Sequence, residues 1–413
     1  MIVSSESMND NPRVSEISEI NEINEVNYDN TLYEINSWDE IQMSQNILRG
    51  IFSYGFEKPS PIQKKAILPI IKGKDIIAQA QSGTGKTAAF AIGSLSIIDL
   101  KKLATQVLIL SPTRELTLQT ASVIKSIGIM MDGLRVQSLF GGAIIEETSI
   151  FSDKNTPHII CGCPGRVNDM LRRDRISTKS LRLVILDEAD EMLSSGFKEQ
   201  VYNIFQYFNN DIQVALFSAT LPSNILAITN KFMRDPVRIS VKLEQLTLEG
   251  ISQFYVAVED DRQKYTTLKH IFSFVSLSQC IIYCNSVKRV ADLYEAMNED
   301  GFPVCCIHSN MEKSAREKAF SEFRNGSCRV LISSNVTARG IDIQQVSIVI
   351  NFDIPKDVHT YLHRIGRSGR WGRKGVGINF ITRRDITKLK EIETYYSSQI
   401  NEMPSDLDFL SKF

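Results

Sequence analysis

Lys74-Asp75-Ile76-Ile77-Ala78-Gln79-Ala80-Gln81-Ser82-Gly83-Thr84-Gly85-Lys86-Thr87 runs from a short apolar segment into a glycine-rich turn that closes on lysine and threonine. Residues 74–78 predict a buried strand entering the turn, and residues 88–98 predict a helix leaving it. Such a turn lets the backbone N–H groups of Ser82, Gly83, Thr84 and Gly85 close around phosphate oxygens. Lys86 adds a cation for the outer phosphates, and the Thr87 hydroxyl is placed to ligate magnesium. Ala80 stands where the general G-x-x-x-x-G-K-[ST] pattern has its first glycine. The strand before the turn and the helix after it carry the assignment despite that letter.

Asp187-Glu188-Ala189-Asp190 supplies the acidic half of the same chemistry. Alone, this tetrapeptide reads as a solvated acidic helix start. Here it follows Leu181-Arg182-Leu183-Val184-Ile185-Leu186, an apolar strand, so its carboxylates emerge at the strand's carboxyl end, where open α/β sheets hold ligands. Asp187 is then expected to hold Mg²⁺, and Glu188 to orient or deprotonate an attacking water.

Working outward, apolar runs that end in polar or glycine-rich loops recur at 107–110, 136–140, 158–161 and 213–217, with helical segments between them. After a connector near 240–250 the pattern restarts, with runs at 280–283, 304–307, 329–332 and 348–352. This predicts doubly wound parallel sheets in two tandem α/β domains. The expected divisions are an acidic tail at 1–36, a first domain at 37–240, a linker at 241–250 and a second domain at 251–413. The second domain has no phosphate turn of its own, so it is expected to act on a nucleotide held by the first.

The 413 residues are 43% hydrophobic, enough to fill two cores. No apolar run reaches membrane-span length, and the amino terminus lacks a basic-then-apolar signal pattern, which predicts a soluble intracellular protein. Seven cysteines, an odd number, and five histidines predict buried reduced thiols rather than a zinc site. Residues 1–40 hold ten acidic residues and one arginine, net −9, so the chain's net of −1 leaves +8 on residues 41–413. A basic body is compatible with a polyanionic partner. Ile17, Ile20, Ile23 and Val26 recur every third residue among glutamates, a period that suits neither helix nor strand and predicts a disordered tail.

His363-Arg364-Ile365-Gly366-Arg367-Ser368-Gly369-Arg370-Trp371-Gly372-Arg373-Lys374 places five basic residues and no acid together. On a helix starting near Tyr361, Arg367 and Arg370 would share a face and reach one anion, a clamp for the charge that develops on a γ-phosphoryl group. The bland alternative is a solvated basic patch against nucleic-acid backbone, and the two readings are compatible.

With the phosphate turn, the acidic strand end and this cluster in place, the chain from Trp38 onward resembles the DEAD-box RNA helicases. That resemblance implies two tandem RecA-like domains, ATP and Mg²⁺ as ligands, and RNA-dependent ATP hydrolysis. Gly55-Phe56-Glu57-Lys58-Pro59-Ser60-Pro61-Ile62-Gln63 resembles the family's Q motif, which implies that Gln63 reads the adenine edge and Phe56 stacks on its face. Trp38, seventeen residues before Gly55, takes the place of the family's upstream aromatic; without the family, both Trp38 and Phe56 read as core residues. By the same resemblance Ser218 and Thr220 couple hydrolysis to RNA by bonding the acidic loop at Asp190. Gly340 and Asp342 reach ATP, and His363 sits at the domain interface. RNA would lie against Thr113, Arg114, Gly141, Gly142, Gly165 and Arg166 in the first domain and Asn285, Arg316 and Ser334 in the second. Such contacts address phosphate and sugar, so single-stranded RNA is expected with little sequence preference, and 2′-hydroxyl contacts favour it over DNA.

Four places depart from the family's usual letters: Thr117 for Ala, Cys163 for Thr, Lys313 for Gln, and Ser334-Asn335 for Thr-Asp. None touches magnesium, the water or the arginine clamp, so hydrolysis is expected to survive. The segments 249–251, 346–351, 392–396 and 402–404 most resemble the members that act in translation initiation. The expected enzyme separates short RNA duplexes there, as a cytoplasmic monomer held by an initiation scaffold protein, with no membrane association. An ATP-gated RNA clamp in an exon-junction or ribosome-biogenesis complex, with a nuclear location, is the alternative, and a DNA helicase of related architecture a weaker third.

Overall fold

The computed structural model describes residues 33–80, 83–141, 155–193, 196–221, 229, 231–240, 251–273, 279–335, 346–368, 374–407 and 409–410. Most of the expected tail and the whole linker therefore lie outside the described residues.

Short runs of β-branched and aliphatic residues set the strands. In the first half these are β1 (Ile76–Gln79), β2 (Val107–Leu110), β3 (Val136–Leu139), β4 (Ile159–Gly162), β5 (Leu183–Asp187), β6 (Gln213–Ser218) and β7 (Val237–Ser240). They form one seven-stranded sheet in the order β3-β4-β2-β5-β6-β1-β7, and each of its pairings is parallel. Around it run α1 (Gln45–Ser53), α2 (Pro61–Ile71), α3 (Lys86–Ile97), α4 (Arg114–Ile127), α5 (Pro164–Arg172), α6 (Ala189–Met192) and α7 (Lys198–Phe205). Side chains alternate across a strand, so one run feeds two cores. Leu183 and Ile185 of β5 join one apolar cluster, while Val184 and Leu186 join the other.

The second half repeats the plan with β8 (Ile251–Ala257), β9 (Gln279–Tyr283), β10 (Val304–Ile307), β11 (Val330–Ser333), β12 (Val346–Asn351), β13 (Gly375–Ile381) and β14 (Asn401–Glu402). Their order is β10-β11-β9-β12-β13-β8-β14, again parallel throughout. The helices are α8 (Asp261–Phe272), α9 (Val287–Glu299), α10 (Lys313–Arg324), α11 (Val358–Ile365) and α12 (Ile386–Tyr396). No described helix is long and apolar enough to cross a membrane.

Strand order divides the loops of each sheet edge by expected task. In the first sheet β5, β6 and β1 are neighbours and carry the acidic loop, the Ser218–Thr220 loop and the phosphate turn. The register sets Gln79 beside Ser218 and Asp187 beside Phe217, which holds these loops at one level. β3, β4 and β2 form the other half and lead into Gly141, Gly165 and Thr113. The second sheet repeats the division: β10, β11 and β9 lead toward Arg316, Ser334 and Asn285, and β12 leads into α11 with His363.

One expectation needs correction. The helix near Tyr361 begins at Val358 and ends at Ile365, so Arg367 lies in the turn beyond it rather than on a helical face. Gly366 is the C-cap, its N–H donating to the Leu362 carbonyl at 2.9 Å, and Ser368 N–H closes on Ile365 at 3.0 Å. Asp357 caps the other end by accepting from Thr360 N–H at 2.7 Å, which fixes where the helix starts.

Candidate active site

The phosphate turn is shaped by glycine at two positions. Gly83 and Gly85 have φ of 84° and 98°, a left-handed backbone that glycine adopts without steric cost. A Cβ at Gly85 would stand 2.6 Å from Gln63 Nε2 and 2.9 Å from Ser60 Oγ, so both side-chain ends would have to move aside. Those contacts clip the start of α2 onto the turn. Ser60 Oγ donates to the Thr84 carbonyl at 2.8 Å and Gln63 Nε2 donates to the Gly85 carbonyl at 3.3 Å. Ala80, the departure from the general pattern, is buried, with its N–H on the Ser218 carbonyl at 3.0 Å. Ser82 lies outside the described residues.

Gln63, expected to read adenine, is 2% exposed, and its Oε1 also accepts from Ser60 N–H at 2.8 Å. A carboxamide carries two donors and two lone pairs, so one of each is left over for a base edge. Phe56 is half-buried with its ring 4.9 Å from that of Tyr54. Trp38 is a core residue, 1% exposed, but its indole N–H also donates to the Phe56 carbonyl at 3.1 Å and so fixes the backbone that presents the ring.

At the end of β5, Asp187 and Glu188 are each 2% exposed. Glu188 takes a left-handed φ of 52°, a conformation that costs a non-glycine residue on the order of 1–3 kcal/mol and marks a functional turn. Its N–H donates to Asp187 Oδ1 at 3.0 Å, while Asp187 Oδ2 is buried with no hydrogen-bond partner among the described residues. Burial first, and then the Glu188 charge, push the Asp187 carboxyl up to about 7 against the pull of Lys86. Lys86 is itself buried, 3.6 Å from Glu188 Oε1, and its ammonium makes no hydrogen bond among the described residues. Thr87 is half-buried one residue further along α3. A carboxylate oxygen without a donor beside an ammonium without an acceptor is a site built for a cation and an anion together.

The second domain enters through His363, whose Nε2 lies 3.0 Å from Asp190 Oδ2. The same carboxylate oxygen accepts from Thr220 Oγ1 at 2.8 Å, and Asp190 N–H donates to Ser218 Oγ at 3.3 Å. Both His363 and Asp190 are buried. Glu188, Asp190 and His363 each bring one oxygen or nitrogen within 4.8 Å of the others, so one compact cluster draws on both domains. Arg367 is 2% exposed, its Nε donating to the His363 carbonyl at 3.1 Å, which holds the guanidinium against the same helix end. Arg370, Gly340 and Asp342 lie outside the described residues.

Along the other half of the edge, Thr113 caps α4 by accepting from Leu116 N–H at 3.3 Å, and Arg114 stacks its guanidinium 4.6 Å over Phe140. Gly165 stands in the first turn of α5, a helix start that offers N–H groups to an anion, and Gly141 is exposed. Arg166 bonds Asp169 at 3.1 Å, and Ser334 is half-buried. Gly142 lies outside the described residues. Two of the departing letters meet here: Thr117 Oγ1 is 3.4 Å from Cys163 Sγ while donating to the Thr113 carbonyl at 2.9 Å.

Two findings were not read from the sequence. Arg316 donates to Glu115 across the domains at 2.8 Å, and Arg114 pairs with Glu317 in the reverse sense. The signal was present as two Arg-Glu dipeptides in the first turns of α4 and α10, but nothing local marks them as partners. Asn285, expected to meet RNA, spends its carboxamide inside the domain. It donates to the Ile354 carbonyl at 2.8 Å and accepts from Arg364 at 2.8 Å. That arginine is fully buried and also holds Asn335 at 2.6 Å, Asn351 at 3.1 Å and the Asp353 carbonyl at 2.8 Å. Asn285 thereby positions its loop, and one donation and one acceptance leave an N–H and a lone pair of its carboxamide for the RNA contact expected of it.

Comparison with known proteins agrees with this geometry. Residues 60–228 match the DEAD/DEAH box helicase family and residues 263–372 match the helicase conserved C-terminal domain. The chain is 50% identical to "ATP-dependent RNA helicase eIF4A" of Kluyveromyces lactis over 93% of its length and 96% of that protein. It is 52% identical to "Probable eukaryotic initiation factor 4A" of Trypanosoma cruzi over 90% of its length and 92% of that protein. Among solved structures, Saccharomyces cerevisiae Dbp5 bound to RNA and ADP BeF3 superposes with a TM-score of 0.85 at 32% identity, covering 92% of this chain and 98% of that one. Mss116p bound to ssRNA and AMP-PNP gives 0.81 at 26% identity, covering 90% and 80%. The chain belongs to the DEAD/DEAH box helicase family.

Proposed function

We propose that this chain is an ATP-dependent RNA helicase that binds single-stranded RNA, separates short duplexes locally, and acts in translation initiation. The observation that carries the reading is the 3.0 Å contact between His363 of the second domain and Asp190 of the acidic loop, which makes the hydrolytic site a property of two domains together. The relatives named as ATP-dependent RNA helicase eIF4A support the activity and the process, and the RNA-bound neighbours support the nucleic acid.

The residues divide the work as follows. Gly83, Thr84 and Gly85 present backbone N–H groups to the phosphates, and Lys86 neutralises their outer charge. Glu188, held 3.6 Å from Lys86 in a strained turn, orients the attacking water and accepts its proton. Asp187 and the Thr87 hydroxyl fit Mg²⁺, since Asp187 Oδ2 is buried without a donor among the described residues. Held by Asp187 and Thr87, that ion would supply positive charge against the phosphates. Arg367, at the end of α11, supplies positive charge from the second domain, with Arg370 as the second half of the clamp. Thr220, Asp190 and His363 form a chain of contacts that breaks when the domains separate, so closure and chemistry are linked.

RNA lies against the other half of both edges. Arg114 and Arg316 each present five N–H donors, enough to keep a carboxylate and take a phosphate. A strand bent along this surface does not fit a regular duplex, and loss of phosphate after hydrolysis lets the domains part. The test is a steady-state assay of the full chain: ATP turnover stimulated by single-stranded RNA, and ATP-dependent separation of a short duplex. Turnover indifferent to RNA contradicts the reading. The chain works as a monomer in the cytoplasm, docked on an initiation scaffold protein. Copurification at physiological salt tests that assignment, since recovery of splicing proteins in place of a cap-binding scaffold moves it to a nuclear clamp.

A further inference from the structure

α11 brings His363 and Arg367 to the cleft, and its buried side is tied down by polar side chains that hydrolysis does not touch. Tyr361 and Arg364, three residues apart on that side, are both fully buried. Arg364 donates to Asn351 Oδ1 at 3.1 Å, at the end of β12. Asn351 Nδ2 donates to Asn379 Oδ1 at 2.8 Å, and the two asparagines are register partners on the neighbouring strands β12 and β13. Asn379 Nδ2 then donates to the Tyr361 hydroxyl at 3.3 Å and to the Phe254 carbonyl of β8 at 3.0 Å. Tyr361 in turn donates to Gln253 Oε1, also of β8, at 2.7 Å. The chain of hydrogen bonds leaves α11 at Arg364, crosses two strands and returns to α11 at Tyr361.

Packing alone does not settle where this helix lies on its sheet. α11 sits close to β13 at Gly377, where a Cβ would stand 3.3 Å from Ile365 Cγ2, but apolar contact is non-directional and tolerates a small slide or turn. The polar circuit is directional. Its members are all buried, so a slide of the helix breaks a hydrogen bond where water does not replace it. Asn379 is also an unusual residue for its place: its neighbours Ile378 and Phe380 fill the apolar cluster on the opposite face of the sheet. A buried carboxamide is costly unless its donors and acceptor are used, and here both are. His363, in the same turn of α11 as Tyr361 and Arg364, meets Asp190 at 3.0 Å, and a hydrogen bond of that length is lost within about 1 Å of displacement.

We propose that Asn379 is a positioning residue for hydrolysis: by joining Asn351 to Tyr361 it fixes the axial position and rotation of α11, and thereby the place at which His363 meets Asp190 on closure. The inference rests on the reading of the chain as an RNA-stimulated ATPase. Arg367 moves with His363, because its Nε donates to the His363 carbonyl at 3.1 Å. Buried amides in a sheet otherwise serve stability alone, and their loss then combines independently with the loss of a site residue.

The experiment measures RNA-stimulated ATP turnover of the full chain for wild type, Asn379→Leu, His363→Ala and the double variant, with urea unfolding of each to correct for the folded fraction. Asn379→Leu, which keeps the approximate shape, is expected to lower kcat about 10-fold or more, with KM for RNA within about threefold of wild type. Nucleotide affinity without RNA stays unchanged, since the phosphate turn lies in the other domain. On the His363→Ala background the same substitution costs at least about threefold less than in wild type, because the group it positions is gone. Tyr361→Phe, which keeps the ring and removes the hydroxyl, is the milder probe and lowers kcat severalfold in the same manner. Hydrogen exchange read by mass spectrometry rises severalfold in residues 358–365 of Asn379→Leu and not in the phosphate turn. A wild type whose turnover RNA does not raise defeats the functional reading and this inference with it. An RNA-stimulated wild type in which Asn379→Leu keeps kcat, or in which the losses at 379 and 363 simply multiply, overturns this inference alone.

Discussion

Replacing His363 by Ala removes the group from the second domain that lies 3.0 Å from Asp190, in a place where both partners are nearly solvent-free. A hydrogen bond to a charged group contributes about 1.5–3 kcal/mol, which corresponds to roughly 10- to 150-fold in turnover if the contact forms only in the closed state. Nucleotide affinity without RNA changes little, because the clip from Ser60 and Gln63 to the phosphate turn lies wholly in the first domain. Asp190→Asn keeps an acceptor for Thr220, 2.8 Å away, while removing the charge. Combining the two separates a shared contact from independent damage. RNA-stimulated ATPase of the wild type, both single variants and the double variant gives the coupling. The double variant is expected to be no slower than the worse single variant by more than about threefold, leaving a coupling energy of about 1–2 kcal/mol. Strict additivity of the two losses refutes the inference that this pair links closure to hydrolysis.

Gly85→Ala places a Cβ 2.6 Å from Gln63 Nε2 at a φ of 98°. It is expected to cost about 1–3 kcal/mol of stability and to weaken nucleotide binding, read by urea unfolding and nucleotide titration. Asn335→Asp gives buried Arg364, now bonded to the neutral Asn335 amide at 2.6 Å, a charged acceptor, and is expected to stabilise the second domain by about 1 kcal/mol in urea unfolding. The Asp187 carboxyl, pushed up to about 7 from 3.8, is protonated in the folded apo-protein where the unfolded chain is already ionised. Its contribution to stability is thus full below 3.8 and is lost as pH rises toward 7. Binding of Mg²⁺-nucleotide in that window is expected to release protons, measured by calorimetry in buffers of different ionisation enthalpy.

The fold was legible where apolar runs were continuous. β5, buried along its whole length, and the glycine turn after β1 told both the sheet and its ligand-bearing edge. β7, β8, β13 and β14 were not read as strands. β8 alternates irregularly between buried and exposed positions, β14 has only two exposed residues, and β13 carries two glycines and an asparagine that dilute its pattern. At the site, local motifs identified Lys86, Asp187 and Glu188 because each role depends on its own turn. The Arg-Glu contacts between domains left dipeptides in the sequence but nothing local to pair them. The pairing of Arg-Glu at 114–115 with Arg-Glu at 316–317 exists only once two sheets face each other, and the basic character of Arg364 concealed a buried hub of amides. Periodicity also misplaced Arg367, since a helix cap and not the pattern of charge decided where α11 stops.

The most direct test of the account is ATP hydrolysis by the first domain alone, residues 33–240, against the full chain at saturating RNA. That fragment keeps its own sheet and the whole phosphate turn but lacks His363 and Arg367. It is expected to bind nucleotide and to hydrolyse it at a rate that RNA does not raise. Turnover equal to that of the RNA-stimulated full chain contradicts the claim that the two domains complete the site together.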